Sequence, residues 1–265
     1  MELKPLSSEY VSRLRSKRPL VLNLSNFVSL DFVANALLAV GASPIMSFEA
    51  REMKDLVALS SAVVINMGTP SAAWLELVEL TWDLARTYDK PVVFDPVGSG
   101  ASTLRTEMAR SLLQRFPATI VRGNASEITS LFDAEQWTKG VDSAISSELA
   151  YERLHPVMSD LPTTYVISGK RDFILDAETT YGIDNGHSLM GEVTGSGCVA
   201  TAIIAAFCAV QKRPAQAALH AMTMMGLAGE QAARTATGPG SFRVAFIDAL
   251  ASEHLDFGTA RVQRL

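Results

Sequence analysis

Apolar positions along the first two thirds of the chain follow two alternating patterns, short continuous runs and longer stretches of helical spacing. Leu20-Val21-Leu22-Asn23-Leu24 reads as a strand, and Leu30–Val40 as a helix that Gly41 stops. Pro44-Ile45-Met46 is a short strand followed by a helix over Met53–Leu59. Ala62-Val63-Val64-Ile65-Asn66 is an apolar strand closing at Met67-Gly68-Thr69. Pro70 suits the first turn of the next helix, which carries Trp74, Leu77, Val78 and Leu84. Pro91-Val92-Val93-Phe94-Asp95 and Thr119-Ile120-Val121-Arg122 are further buried strands, each leading into turn residues and a helix. Thr164-Tyr165-Val166-Ile167-Ser168 is the last of this kind, and residues 173–175 and 180–183 read as an antiparallel pair. Nearly all-apolar strands alternating with helices predict an α/β fold, a mostly parallel central sheet covered by helices on both faces.

Beyond Gly195 the pattern is helical. Small apolar residues run from Cys198 through Phe207, alanine- and methionine-rich faces occupy residues 215–233, and a last helix is expected near residues 244–255. No linker, repeat or low-complexity tract interrupts the chain, so a single domain over residues 1–265 is expected.

The chemistry concentrates where strands end, because ligands of open α/β sheets sit at the carboxyl ends of the strands. Those positions hold Asn26, Met46, Gly68, Asp95, Arg122-Gly123-Asn124 and Ser168-Gly169-Lys170, followed by Thr194-Gly195-Ser196-Gly197-Cys198. A glycine-rich approach to a helix leaves backbone N–H groups free at the positive end of the dipole, which suits phosphate. Arg122 at a strand tip can hold phosphate oxygens in a fork. Asn124 or Ser126 caps the next helix, with Glu127 in its first turn, and Glu127 is also placed to orient magnesium through water. Asp95 is either a turn cap or, after four apolar strand residues, a functional carboxylate.

Cys198 has two readings. A thiol near a helix N-terminus can have a lowered pKa and could polarise or deprotonate an alcohol. Alternatively it is a spectator while the amides of residues 195–198 carry the electrostatic work. Cys208 reads as a small hydrophobe. His155, His187, His220 and His254 are scattered without metal-ligand spacing, and no G-x-x-x-x-G-K-[ST] occurs.

Bulk properties narrow the class. The chain of 265 residues is 48% hydrophobic, enough for a sizeable core, and its net charge of −5 gives no field favouring nucleic acid or an anionic membrane. No apolar run reaches the roughly 18 residues of a membrane span. Met1-Glu2-Leu3-Lys4-Pro5 lacks the basic-then-apolar pattern of a signal peptide, and two cysteines ten positions apart on one helix cannot pair, so a cytoplasmic protein is expected.

Taken together, the residues resemble the hydroxyethylthiazole kinase family, of the ribokinase-like three-layer fold. The resemblance runs over nearly the whole chain and is carried by Asn26, Ala34-Asn35 and Leu37-Leu38-Ala39-Val40-Gly41-Ala42-Ser43-Pro44-Ile45-Met46. Asn66-Met67-Gly68-Thr69, Asp95-Pro96-Val97-Gly98 and Arg122-Gly123-Asn124-Ala125-Ser126-Glu127-Ile128 continue it. Residues 185–198 and Gly238-Pro239-Gly240-Ser241-Phe242 complete it. Gly-Ala-Ser-Pro-x-Met combined with Gly-x-Gly-Cys is specific, whereas each alone would be weak.

The resemblance implies an enzyme that phosphorylates 4-methyl-5-(2-hydroxyethyl)thiazole with ATP and Mg²⁺, in thiamine biosynthesis and salvage. It implies that Met46 and Gly195 contact the thiazole alcohol, and that Asn26 and Gly68 line its pocket. Arg122 and Ser168 would bind ATP, with Asn124 and Gly197 beside them, and Asp95 and Glu127 would serve the magnesium–phosphate region. Cys198 stands where most ribokinase-like enzymes place an aspartate base. A homotrimer with sites near subunit interfaces is implied as well. Asn23-Leu24-Ser25 departs from the cysteine- or histidine-containing tripeptide often found before Asn26.

Three alternatives remain at this stage. A ribokinase-like kinase for a pyrimidine alcohol would be expected to carry aspartate at position 198. A dinucleotide-dependent oxidoreductase fits Gly195-Ser196-Gly197-Cys198-Val199-Ala200 formally, but only helices follow and no acid closes a strand roughly 20 residues on. A non-catalytic trimeric ligand-binding module is the third.

Overall fold

The computed structural model describes residues 8–132, 145–158 and 161–265. Helix α1 (Ser8–Lys17) leads into β1 (Leu20–Leu24), α2 (Leu30–Val40), β2 (Ser43–Met46), α3 (Met53–Leu59), β3 (Ala62–Asn66) and α4 (Ala72–Thr87). Then come β4 (Val92–Asp95), α5 (Thr103–Arg115), β5 (Ile120–Asn124), α6 (Ala125–Leu131) and α7 (Ser147–Met158). The chain continues through β6 (Thr164–Ser168), β7 (Asp172–Leu175), β8 (Thr180–Ile183), α8 (Ser196–Cys208), α9 (Pro214–Ala233), α10 (Pro239–Ala251) and β9 (Val262–Arg264).

All nine strands form one sheet in the order β2-β1-β3-β4-β5-β6-β7-β8-β9. The first six pair in parallel and the last three antiparallel. Side chains alternate between the two faces with period 2. Val21, Ala62, Val64, Val93, Ile120, Val166 and Ile174 share a core with α2, α8, α9 and α10. Their neighbours Leu22, Val63, Ile65, Phe94, Val121, Ile167 and Phe173 share another with α3 to α7. The expected three-layer arrangement follows from that alternation, and no helix of the described residues is long and apolar enough to cross a membrane.

Two boundaries differ from the sequence reading. Pro70 lies before α4 rather than in its first turn, because Ser71 takes the N-cap and accepts from the Trp74 amide at 3.1 Å. The last helix starts at Pro239 and ends at Ala251, earlier than expected. The segment beyond it is not all helical: β9 pairs with β8 and extends the sheet. Three residues, one of them half-buried and two exposed, carry no apolar run that could announce a strand.

Candidate active site

The same alternation that builds the core aims the site. Asn66, Asp95, Arg122 and Ser168 each lie two positions beyond a residue of the α8–α9 core, namely Val64, Val93, Ile120 and Val166. All four therefore project from strand ends toward the start of α8. The order β2-β1-β3 reverses direction between β1 and β3, and Asn26 and Asn66 stand at that switch point.

Helix α8 begins after Gly195, whose φ of +91° is the left-handed conformation that glycine adopts without strain. A side chain there would also meet Ser29. The Ser196 amide bonds back to the Val193 carbonyl and the Val199 amide to the Gly195 carbonyl. Among the described residues, the amides of Gly197 and Cys198 have no acceptor, so they remain available at the positive end of the helix.

Gly197 faces Arg122. A Cβ at that position would lie 2.5 Å from Arg122 Nη1, so glycine is what lets the guanidinium approach the helix terminus. Arg122 Nη2 donates to Ser168 Oγ at 2.6 Å, and Ser168 Oγ donates to the Gly123 carbonyl at 3.2 Å. Arg122, Ser168, Lys170, Ser196, Gly197 and Ala200 line one end of a cavity of about 1010 Å³. Asn185, Gly186, Met190 and Gly226 are among the residues that line the rest.

Cys198 turns toward Asn26 and Asn66. Sγ accepts from Asn26 Nδ2 at 3.3 Å and from Asn66 Nδ2 at 3.2 Å. Burial and the neighbouring Asp95 carboxyl push the thiol up from its ordinary value. Of the two readings of Cys198, desolvation works against the one with a helix-lowered thiol pKa. Asn26 also donates to Asn66 Oδ1 at 2.8 Å, and its side chain fills the space over Gly68 that a Cβ would need. Met46 ends β2, half-buried. Cys208 is likewise pushed up, to about 12, by burial alone, consistent with a packing role.

Asp95 is 1% exposed. Oδ2 accepts from Asn66 Nδ2 at 2.9 Å and from Thr201 Oγ1 at 2.8 Å, while Oδ1 has no hydrogen-bond partner. Burial raises its pKa to about 7 against the pull of Arg122. A buried hard oxygen left without a donor is a ligand that fits a divalent cation. Glu127 is more committed. Its Oε2 accepts from the Asn124 amide at 2.9 Å and its Oε1 from the Gly98 amide at 2.8 Å, closing a capping box in which Asn124 Oδ1 accepts from the Glu127 amide. Each oxygen keeps one further lone pair. No group of three or more His, Cys, Asp or Glu among the described residues could hold a metal. This donor set suits magnesium completed by phosphate and water rather than a cage made by protein.

Several contributors escaped the sequence reading. Asn66 joins Asn26, Gly68, Asp95 and Cys198 in one set of hydrogen bonds; it lies at a strand end in a stretch that carries the resemblance, but no role is given to it there. Thr201 lies one helical turn after Gly197 in an apolar run, where nothing in the sequence singles it out. Arg105 of α5 donates to the carbonyls of Met67, Val97 and Gly68 at 2.8–2.9 Å, fixing the turns after β3 and β4. Nothing in a solvent-facing helical pattern singles it out.

Comparison with known proteins bears on the family and the fold. The sequence model of the hydroxyethylthiazole kinase family matches residues 11–255. The hydroxyethylthiazole kinase of Leptospira biflexa is 48% identical over 242 residues, covering 91% of each chain. A hydroxyethylthiazole kinase structure from Pyrococcus horikoshii superposes with a TM-score of 0.88 at 36% identity, covering 97% of this chain and 98% of that one. A ribokinase-like superfamily protein from Enterococcus faecalis, 13% identical with a TM-score of 0.61, shares the fold over 94% of this chain and 97% of its own.

Proposed function

The chain belongs to the hydroxyethylthiazole kinase family, and from that premise we propose that it transfers the γ-phosphoryl group of ATP to the hydroxyl of 4-methyl-5-(2-hydroxyethyl)thiazole. The products are the thiazole phosphate and ADP, with the hydroxyl proton released. The observation that carries the reading is the juxtaposition of Arg122 with Gly197 at the start of α8, one residue from the Cys198–Asn26–Asn66 cluster. Phosphoryl transfer needs alignment and charge neutralisation more than covalent chemistry, and that juxtaposition supplies both.

In this reading ATP occupies the large cavity, held by Arg122 and Ser168, with Asn124 and Gly197 beside them. The free amides of Gly197 and Cys198 receive charge developing on the γ-phosphoryl oxygens. The alcohol enters between Asn26, Met46, Gly68 and Gly195, which brings its hydroxyl to Cys198. A thiol pushed up by burial stays protonated at neutral pH, so Cys198 orients the hydroxyl and is a poor proton acceptor. Asp95 Oδ1 and the remaining lone pairs of Glu127 would hold magnesium, which when bound neutralises phosphate charge.

The reading extends to the whole protein. One sheet runs through the described residues, supporting a single domain over residues 1–265. Phe27 and Phe48, whose rings lie 5.1 Å apart, are exposed next to Asn26 and Met46 beside Val28. Such a patch beside the acceptor pocket supports a homotrimer with sites near subunit boundaries. A cytoplasmic location suits two free cysteines.

The test is an ADP-release assay with the thiazole alcohol, the pyrimidine alcohol of thiamine synthesis, and no acceptor. Turnover with the thiazole alcohol alone is expected. Faster turnover of the pyrimidine alcohol, or none with either, overturns the assignment. Arg122→Ala is expected to raise the KM for ATP well beyond the KM for the alcohol, and an unchanged ATP KM would remove Arg122 from the nucleotide site.

A further inference from the structure

The wall of the large cavity away from α8 is built from Met222, Met225 and Gly226 of α9 and from two short stretches, residues 169–172 before and at the start of β7 and residues 184–191 after β8. Neither is held by helix packing alone. Both are held from outside by the last segment of the chain.

Arg261 grips the second stretch. Its amide donates to Asn185 Oδ1 at 2.6 Å, and its Nη2 donates to the Asp184 carbonyl and to Glu230 Oε1, each at 2.5 Å. The Asp184 amide returns a bond to the Arg261 carbonyl at 2.9 Å. Glu230, on α9, also accepts from the Gly186 amide at 3.0 Å and from Asn185 Nδ2 at 3.2 Å. Asn185, 5% exposed, donates further to the Thr259 carbonyl and presses against Gly226, where a Cβ would lie 2.6 Å from its own Cβ. Gly226, Asn185 and Gly186 all line the cavity.

Gln263 grips the first stretch. Paired with Gly182 in the β8–β9 register, it accepts from Arg171 Nη2 at 2.6 Å. The Arg171 guanidinium crosses Gly182, which leaves it the room, and makes an ion pair with Asp184 at 3.4 Å. One short strand therefore ties together two walls that the β7–β8 hairpin and the Arg171–Asp184 ion pair also join.

We propose that residues 257–264 form a positioning element for the nucleotide, with Arg261 and Gln263 fixing the spacing of the two walls. Neither residue touches the cavity, so both act through Asn185, Asp184 and Arg171. The proposal rests on ATP occupying this cavity.

The experiment compares Arg261→Gln, Glu230→Gln and Gln263→Ala with Arg122→Ala, measuring KM for ATP, KM for the thiazole alcohol, kcat, melting temperature and ADP affinity by calorimetry. Loss of indirect contacts of this kind is expected to raise the ATP KM by about two- to thirtyfold. ADP affinity should weaken in parallel, the alcohol KM should stay within about twofold, and Arg261→Lys should recover part of the loss. If Arg261→Gln fails to fold, Gln263→Ala, which removes an exposed amide together with its bond to Arg171, is read in its place. Equal rises in both KM values, or unchanged ATP KM and ADP affinity while Arg122→Ala is impaired, overturn the positioning role and leave the nucleotide site standing. If Arg122→Ala also leaves the ATP KM unchanged, the assignment of the cavity falls, and this proposal falls with it.

Discussion

At the scale of single residues, the site is decided by how far each polar group is withdrawn from water. Cys198 illustrates it: proximity to a helix terminus would lower a thiol, and burial beside Asp95 raises it. Cys198→Ala is accordingly expected to lower kcat by about tenfold or less, measured at saturating ATP and alcohol. A loss within the roughly 10²–10⁴-fold range of general bases would make the thiol a proton acceptor after all. Asp172 gives a second case. Burial raises its carboxyl to about 7, against the opposing Gly169 amide and Arg122. A carboxyl raised in the folded state stabilises the fold while protonated; the contribution is full below its ordinary value of 3.8 and is lost as pH rises through about 7. Asp172→Asn, which mimics the protonated form, should flatten the fall in melting temperature over that interval, and unchanged slopes would discount Asp172.

At the scale of elements, what the sequence reveals depends on where an element's partners lie. Helix α2 was legible to the residue, because Leu30–Val40 carries its own apolar face and Gly41 closes it with φ +97°. Gly41→Ala forces a left-handed alanine and drives a Cβ to 2.7 Å from Arg15 Cγ. A destabilisation of at least about 1–2 kcal/mol is expected from denaturant unfolding, and a neutral result would mean the helix end relaxes freely. Strands β1 to β6 were legible because burial on both faces writes continuous apolar runs. Strand β9 was not, since its stability comes from pairing with a strand some eighty positions earlier rather than from its own side chains. The site divides in the same way. Glycines and charges at strand ends stood out, whereas Asn66, Thr201 and Arg105 matter through partners distant in the chain.

At the scale of the whole molecule, the exposed pair Phe27 and Phe48 bears on association. Phe27, 68% exposed, has little to do in a monomer. Phe27→Ser is expected to weaken self-association, read as a lower mass in sedimentation at micromolar protein. An unchanged oligomer would place the subunit contact elsewhere. The path of the chain has another consequence, which concerns biogenesis. Helix α8 lies across β1, β3 and β4, yet it follows the last of them by about a hundred residues. During synthesis those strands emerge with Val21, Val64 and Val93 lacking the helix meant to cover them. A fragment ending near residue 190 should therefore be sticky and drawn to chaperones, and the ribosome must deliver α8 before the nascent sheet is safe from aggregation.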